Sequence, residues 1–487
     1  MNRRAFLRDL ALASAAAAIS ARAADPVAPG GFTHRALNGW ITDLATEPDP
    51  HAAWPSMRLD ERLLQDYRET FALMERIGFN EIVIWGLYTA NNWPVDLAGA
   101  VTPERGRLVE RLIADAHARG IKVISGLGTY NWGFAEIIKA NPKLNGGNAN
   151  AMCASEPESH AWMERVLEFV FTRFAIDGVS MQSADQGRCK CERCAKTDDA
   201  GYHATLLART ADTIRARWPG KITGMSNWGV SFGHANDREV FAKMSRSLDY
   251  MIDYNDSARN GGAENRRKLI AALGCAFGTT GGLVVEPPQH WARDRWFLPT
   301  CRGVHRHLQK LHADGGRACE FFFHIAANPA SELTLHIAGR TLAAPAEPLE
   351  KHLHSALDEL YQPRDADART ALAGFFLDAE QAYFRHLPAD ECGTLSLEPL
   401  ISNESGPAVY LRDRLLPAQR EMYAREIGRL TGVFEKLRVD LPTAPRVGRI
   451  TACLSAVPKD LAHEPSPIFP PRRRDAWRLK KSKPQIS

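Results

Sequence analysis

The chain has 487 residues, 45% of them apolar and 24% charged, a composition that excludes a disordered or low-complexity protein and leaves room for a large buried core. That length exceeds one ordinary domain and fits a barrel of roughly 250–300 residues with a smaller module attached. The formal charge of +4 sits in the two ends, in Arg3, Arg4, Arg8 and Arg22 at the start and a run from Arg472 to Lys483 at the finish; the body between them is mildly acidic, so nothing electrostatic calls for a nucleic-acid partner.

The first segment reads as an export signal over residues 1–23. Arg3 and Arg4 precede Phe6-Leu7 and a short apolar run from Leu10 to Ile19, and Ala21-Arg22-Ala23 supplies an A-x-A cleavage pattern. Paired arginines ahead of Phe-Leu resemble a twin-arginine signal, which implies a periplasmic or secreted protein. The apolar run is too short to cross a bilayer core about 30 Å thick, and no membrane span is expected elsewhere.

From residue 32 onwards short apolar runs alternate with amphipathic stretches. The runs fall at 37–43, 81–85, 121–127, 178–183, 222–226, 250–254, 275–280 and 318–324, with helical spacing between most of them. That rhythm argues for parallel βα units. Eight of them over about 300 residues predict an α/β fold, a (β/α)8 TIM-type barrel spanning 32–344. No G-x-G-x-x-G or P-loop pattern opens a helix, which counts against a nucleotide-binding sheet. A C-terminal α-helical extension is expected over 345–455, with helices at 349–361, 368–387 and 418–437. Residues 456–487, rich in Pro, Arg and Lys, read as a basic, disordered tail.

In such a barrel, functional groups lie at the C-terminal ends of the strands and in the loops that follow. The fourth run is followed by Asp185 and then by Cys189, Cys191 and Cys194. C-x-C-x-x-C suits a structural zinc, which takes four ligands. The fourth would be Cys153 or His203. A disulfide within the cluster, or reduced buried thiols, are the other readings. After the seventh run, Pro287-Pro288 stiffen a loop that carries Glu286, His290 and Trp291, and Glu320 lies within the eighth run beside three phenylalanines. Aromatic residues recur after strand after strand: Trp85, Trp132, Trp228 and Trp291, with Asn227 beside Trp228. Sugars offer flat C–H faces to indole rings and hydroxyls to carboxylates and amides. Two carboxylates flanking a glycosidic bond are what its hydrolysis needs.

Several segments carry a family resemblance: Cys189-Lys190-Cys191-Glu192-Arg193-Cys194, Pro287-Pro288-Gln289-His290-Trp291, Phe322-Phe323-His324-Ile325-Ala326-Ala327-Asn328-Pro329, and the helical stretch at 357–384. With these the chain resembles a group of exported bacterial barrel proteins related to α-glucuronidases and β-hexosaminidases. The resemblance implies polysaccharide or glycan processing. Hexosaminidases of this kind carry an adjacent Asp-Glu pair at the end of strand four. Here the strand ends Ser183-Ala184-Asp185-Gln186, so substrate-assisted hydrolysis is not carried over.

The sequence therefore leads to an exported glycoside hydrolase whose partner is a carbohydrate substrate. Asp185 is the expected acid, Glu286 the nucleophile or base, and Glu320 a further catalytic candidate. Trp85, Trp132, Asn227, Trp228, His290 and Trp291 are the expected substrate-binding residues. No cofactor is required for this chemistry, and zinc would be structural. The alternatives are a carbohydrate-binding barrel without catalysis and a metal-dependent hydrolase or lyase.

Overall fold

The computed structural model of the chain describes residues 30–41, 58–89, 92–183, 186–227, 237–253, 263–280, 297, 299–322, 329–385, 417–442 and 445–462. Its centre is a closed barrel of eight parallel strands in sequence order: β1 (His34–Trp40), β2 (Glu81–Trp85), β3 (Lys122–Gly128), β4 (Gly178–Gln182), β5 (Ile222–Ser226), β6 (Tyr250–Asp253), β7 (Ala276–Thr280) and β8 (Ala318–Phe322), with β8 pairing back to β1. The main connecting helices are α1 (Glu61–Ile77), α2 (Pro103–His117), α3 (Ala135–Ala140), α4 (Pro157–Arg173), α5 (Asp199–Arg217), α6 (Arg238–Ser245), α7 (Ala263–Ala272), α8 (Cys301–Ala313) and α9 (Pro329–Ala343). This is the (β/α)8 barrel that the sequence predicts.

Local chemistry sets the element ends. Asp60 precedes α1 and accepts from the Leu63 backbone N–H at 2.9 Å, and Gly78 closes the helix in the left-handed region. Thr102 and Pro103 open α2 in the same economical way. Strand residues then divide by alternation. Leu37, Ile82, Ile84 and Val123 pack outward against the helices, whereas Ala36, Val83, Trp85 and Ile124 form a separate cluster inside the barrel. The N-terminal end is plugged by a buried pair, His34 Nδ1 to Glu81 Oε1 at 2.9 Å, with the His34 ring 4.8 Å from that of Tyr250. Function is thereby left to the opposite end.

A helical C-terminal segment follows: α10 (Leu349–Tyr361), α11 (Ala366–Arg385), α12 (Pro417–Leu437) and α13 (Pro445–Ala462). The rings of Phe297, Phe375 and Phe434 pack in succession and join it to the barrel side, with neighbouring centroids 5.2–5.3 Å apart. Arg446 of α13 makes two 2.7 Å bonds to Glu332 of α9. Glu380 of α11 accepts from the Arg302 and Gly303 backbone N–H groups at 2.9 Å each, and so caps α8. The last helix continues past residue 455 to Ala462 because Ile450, Leu454, Val457 and Leu461 give it a buried stripe.

Candidate active site

Three indoles meet at the C-terminal ends of the first three strands. Trp40 ends β1, Trp85 ends β2 in register with it, and Trp132 follows β3. Ring centroids are 5.7 Å apart for Trp40–Trp85, 5.6 Å for Trp40–Trp132 and 4.4 Å for Trp85–Trp132. Trp85 is only 5% exposed, while Trp40 and Trp132 are half-buried. The packing demands a glycine: at Gly126 of β3 an added Cβ would sit 2.1 Å from the Trp85 ring. Trp132 is aimed by its backbone. Tyr130 and Trp132 both take positive φ, 64° and 51°, in a turn that reverses the chain over the mouth. A non-glycine residue in that region costs on the order of 1 kcal/mol or more, a strain that concentrates at working sites.

The cavity beside these rings holds about 200 Å³ and is also lined by Tyr88, Thr89 and Trp93. Its described lining carries no carboxylate. One donor faces a buried position unused: among the described residues the Trp85 Nε1–H has no hydrogen-bond partner. A buried N–H left unpaired is costly.

Other sequence candidates are placed as follows. Glu320 is 1% exposed inside the barrel on β8, and Asn38 Nδ2 of β1 donates to its Oε1. Nearby, burial and the negative charges of Glu320 and Glu81 hold the Tyr250 phenol well above its ordinary range. Asn227 is buried at the end of β5 and donates through Nδ2 to Asp253 Oδ1 at 2.8 Å, tying β5 to β6. Asp185, Trp228, Glu286, His290 and Trp291 lie outside the described residues. Sequence reasoning missed Trp40. Its signal was the alternation Ala36, Asn38, Trp40, which sets all three on one face.

The loops after β3 and β4 are clamped together beside the mouth. Asn131 Nδ2 donates to the Ser183 and Gly187 carbonyls, the latter at 2.8 Å. Asn148 Nδ2 donates to Gln186 O at 2.9 Å and Arg188 O at 3.3 Å. Within this clamp the sulfurs of Cys153, Cys189, Cys191 and Cys194 all lie within 4.8 Å of one another. Of the two residues considered for the fourth position, the fold brings in Cys153. His203 stays outside the cluster on α5, where burial pushes its pKa down to about 4. Burial raises Cys153 and Cys189, whereas the Cys194 backbone N–H, pointing at the Cys191 sulfur, holds that thiol down to about 6.

No protein-family model and no curated protein matches the sequence. Among solved structures the chain is similar to a GH138 enzyme targeting pectin rhamnogalacturonan II, with a TM-score of 0.57 and 10% identity over 89% of this chain. The chain spans 57% of that enzyme's length. It is also similar to an O-GlcNAc hydrolase mutant of Thermobaculum terrenum, with a TM-score of 0.48 and 11% identity over 88% of this chain and 81% of that one. A third neighbour is CpGH84B, with a TM-score of 0.49 and 11% identity over 88% of this chain and 67% of that one. The structural neighbours are glycoside hydrolases, and at these identities what this chain shares with them is the barrel. Among the described residues no helix is long and apolar enough to cross a membrane.

Proposed function

We propose that the chain is an exported glycoside hydrolase acting on an oligo- or polysaccharide at the C-terminal mouth of its barrel. The observation that carries this reading is the tryptophan-walled cavity at the C-terminal mouth of the barrel. A sugar ring has an apolar face to lay on Trp40 and Trp132. Asp185 follows β4 in sequence and acts as the acid on the glycosidic oxygen. Glu286, after β7, serves as nucleophile or base from the other side. Trp228, His290 and Trp291 extend the sugar-binding surface, and Asn227, held by Asp253, braces it. Glu320, bonded to Asn38 beneath the mouth, positions the floor of the site. No cofactor enters this chemistry. The N-terminal arginine pair directs the folded protein to the periplasm or beyond.

The test is release of sugar from a panel of aryl glycosides and natural oligosaccharides by the purified mature protein. Asp185→Asn and Glu286→Gln should each lower kcat by about 10²–10⁴-fold while leaving the fold intact. Full activity in either variant removes that residue from the mechanism. A second reading, a carbohydrate-binding barrel without catalysis, is favoured by one observation: the described cavity lining is free of carboxylates. Oligosaccharide binding with no product released from any substrate would establish it.

A further inference from the structure

We propose that Cys153, Cys189, Cys191 and Cys194 hold one zinc ion as a closed tetrathiolate site that locks the loop after β3 to the loop after β4. A zinc–sulfur bond of about 2.3 Å puts the edge of a regular tetrahedron at about 3.8 Å. The Cys153 sulfur lies 3.6 Å from that of Cys191 and 3.9 Å from that of Cys194. A disulfide would instead draw one pair to about 2.05 Å and leave the others behind.

The surroundings suit thiolates. The Cys191 backbone N–H points at the Cys189 sulfur and the Cys194 N–H at the Cys191 sulfur, each at 3.5 Å. The Ser155 hydroxyl lies 3.1 Å from the Cys194 sulfur. Such donors offset charge on sulfur and orient it toward a cation. A zinc bound by four thiolates carries a net charge of about −2. Two arginines flank the cluster: Arg193 is paired with Glu156, and Arg188 donates to Cys194 O while its guanidinium stacks 4.3 Å from the Tyr202 ring.

The backbone is shaped for the same closure. At Gly146 a Cβ would lie 2.0 Å from the Cys189 sulfur, so glycine there is what lets the thiol close the cluster. Lys190 N donates to Gly146 O at 2.8 Å, joining the two loops, and Cys153 N donates to Leu144 O at 2.8 Å, folding the loop after β3 back on itself. Four protein ligands leave no open position for water or substrate, so an ion held here is structural.

The full chain, purified without chelator, is assayed for metal by plasma mass spectrometry, alongside Cys153→Ser and Cys191→Ser. One zinc per wild-type chain is expected, falling to background in both variants. Cobalt substitution should bring the intense visible bands of a tetrahedral thiolate site. Because a serine variant can fail to fold, the wild-type thiols are also alkylated: all four should be protected until a chelator and denaturant are added, with no reductant needed. Zinc-free protein with alkylatable thiols overturns the proposal, as does a thiol pair that reacts only after reduction, or a metal other than zinc. None of these readouts depends on sugar hydrolysis, so failure here and failure of the glycosidase reading are separate results.

Discussion

At the mouth of β1 to β3, three indoles look into a cavity and the most buried leaves its N–H unspent. A few residues further along the same loops, four sulfurs look at one another, and backbone donors from Cys191 and Cys194 are turned onto them. Both regions depend on a close approach that only glycine permits, Gly126 under Trp85 and Gly146 under Cys189. The difference lies in what is left over. The tryptophan mouth keeps volume between aromatic walls, the signature of a place for something else. The thiol cluster turns its sulfurs on one another and is tied across the two loops by Lys190 N to Gly146 O, as the proposed fastening requires. Asn131 connects them, since it lies between Tyr130 and Trp132 and reaches the β4 loop at Ser183 and Gly187. With the proposed zinc bound, the clamp on one side of that turn would help hold the positive φ values of Tyr130 and Trp132 on the other.

Removing a fastening should have the larger effect on stability. We expect Cys194→Ser to lower unfolding stability in urea by on the order of 4 kcal/mol, the range reached when a bound metal is lost. A stable variant that instead loses sugar affinity would reverse the roles assigned to the two regions. Next comes a control that belongs to neither. Burial pushes Glu380 up to about 7 from 4.5, despite its two backbone donors. A folded pKa above the unfolded one contributes stability that is complete below about pH 4.5 and lost as pH rises through 7, by about 3 kcal/mol. Glu380→Gln should lack that slope when urea midpoints at pH 5 and pH 8 are compared with wild type; an unchanged slope would place the pH dependence elsewhere. Smaller again, Gly126→Ala should cost about 1–3 kcal/mol by forcing the Trp85 ring aside. Near-ultraviolet circular dichroism should change with it, and an unaltered spectrum would mean that the ring is not fixed as described.

Much of the barrel was readable because its strands obey simple rules. β2 and β5 fall where the apolar runs at 81–85 and 222–226 fall. β1 begins and ends three residues earlier than expected, at His34 and Trp40, because inward Asn38 and His34 find buried partners in Glu320 and Glu81 that no local pattern announces. Helix α9 escaped notice for the opposite reason: 12 of its 15 residues are buried, so no polar face marks its period. Of the site, Trp85 and Trp132 were visible as aromatics after strands, whereas Trp40 was hidden by the misplaced end of β1. The choice of Cys153 over His203 needed the chain to fold back at Leu144, a contact that spacing does not encode.

Trp40 offers the finest separation of the two regions. Its ring stacks on Trp85 at 25° and remains half-exposed, so it presents an aromatic face while supporting little of the core. Aromatic contacts of this kind are worth about 0.5–1.5 kcal/mol beyond their buried area. We therefore expect Trp40→Ala to raise the Kd for the best oligosaccharide by about fivefold, read by titration calorimetry, since a tenfold change needs about 1.4 kcal/mol. The urea midpoint should move far less than for Cys194→Ser, because Trp85 still closes the barrel from within. Trp40→Phe should recover most of the affinity by restoring a flat ring. If Trp40→Ala left Kd unchanged while Trp40→Phe and Trp40→Ala both lowered the midpoint, the indoles would be a hydrophobic lid on the barrel, and the sugar would have to bind on the side of β5 to β8.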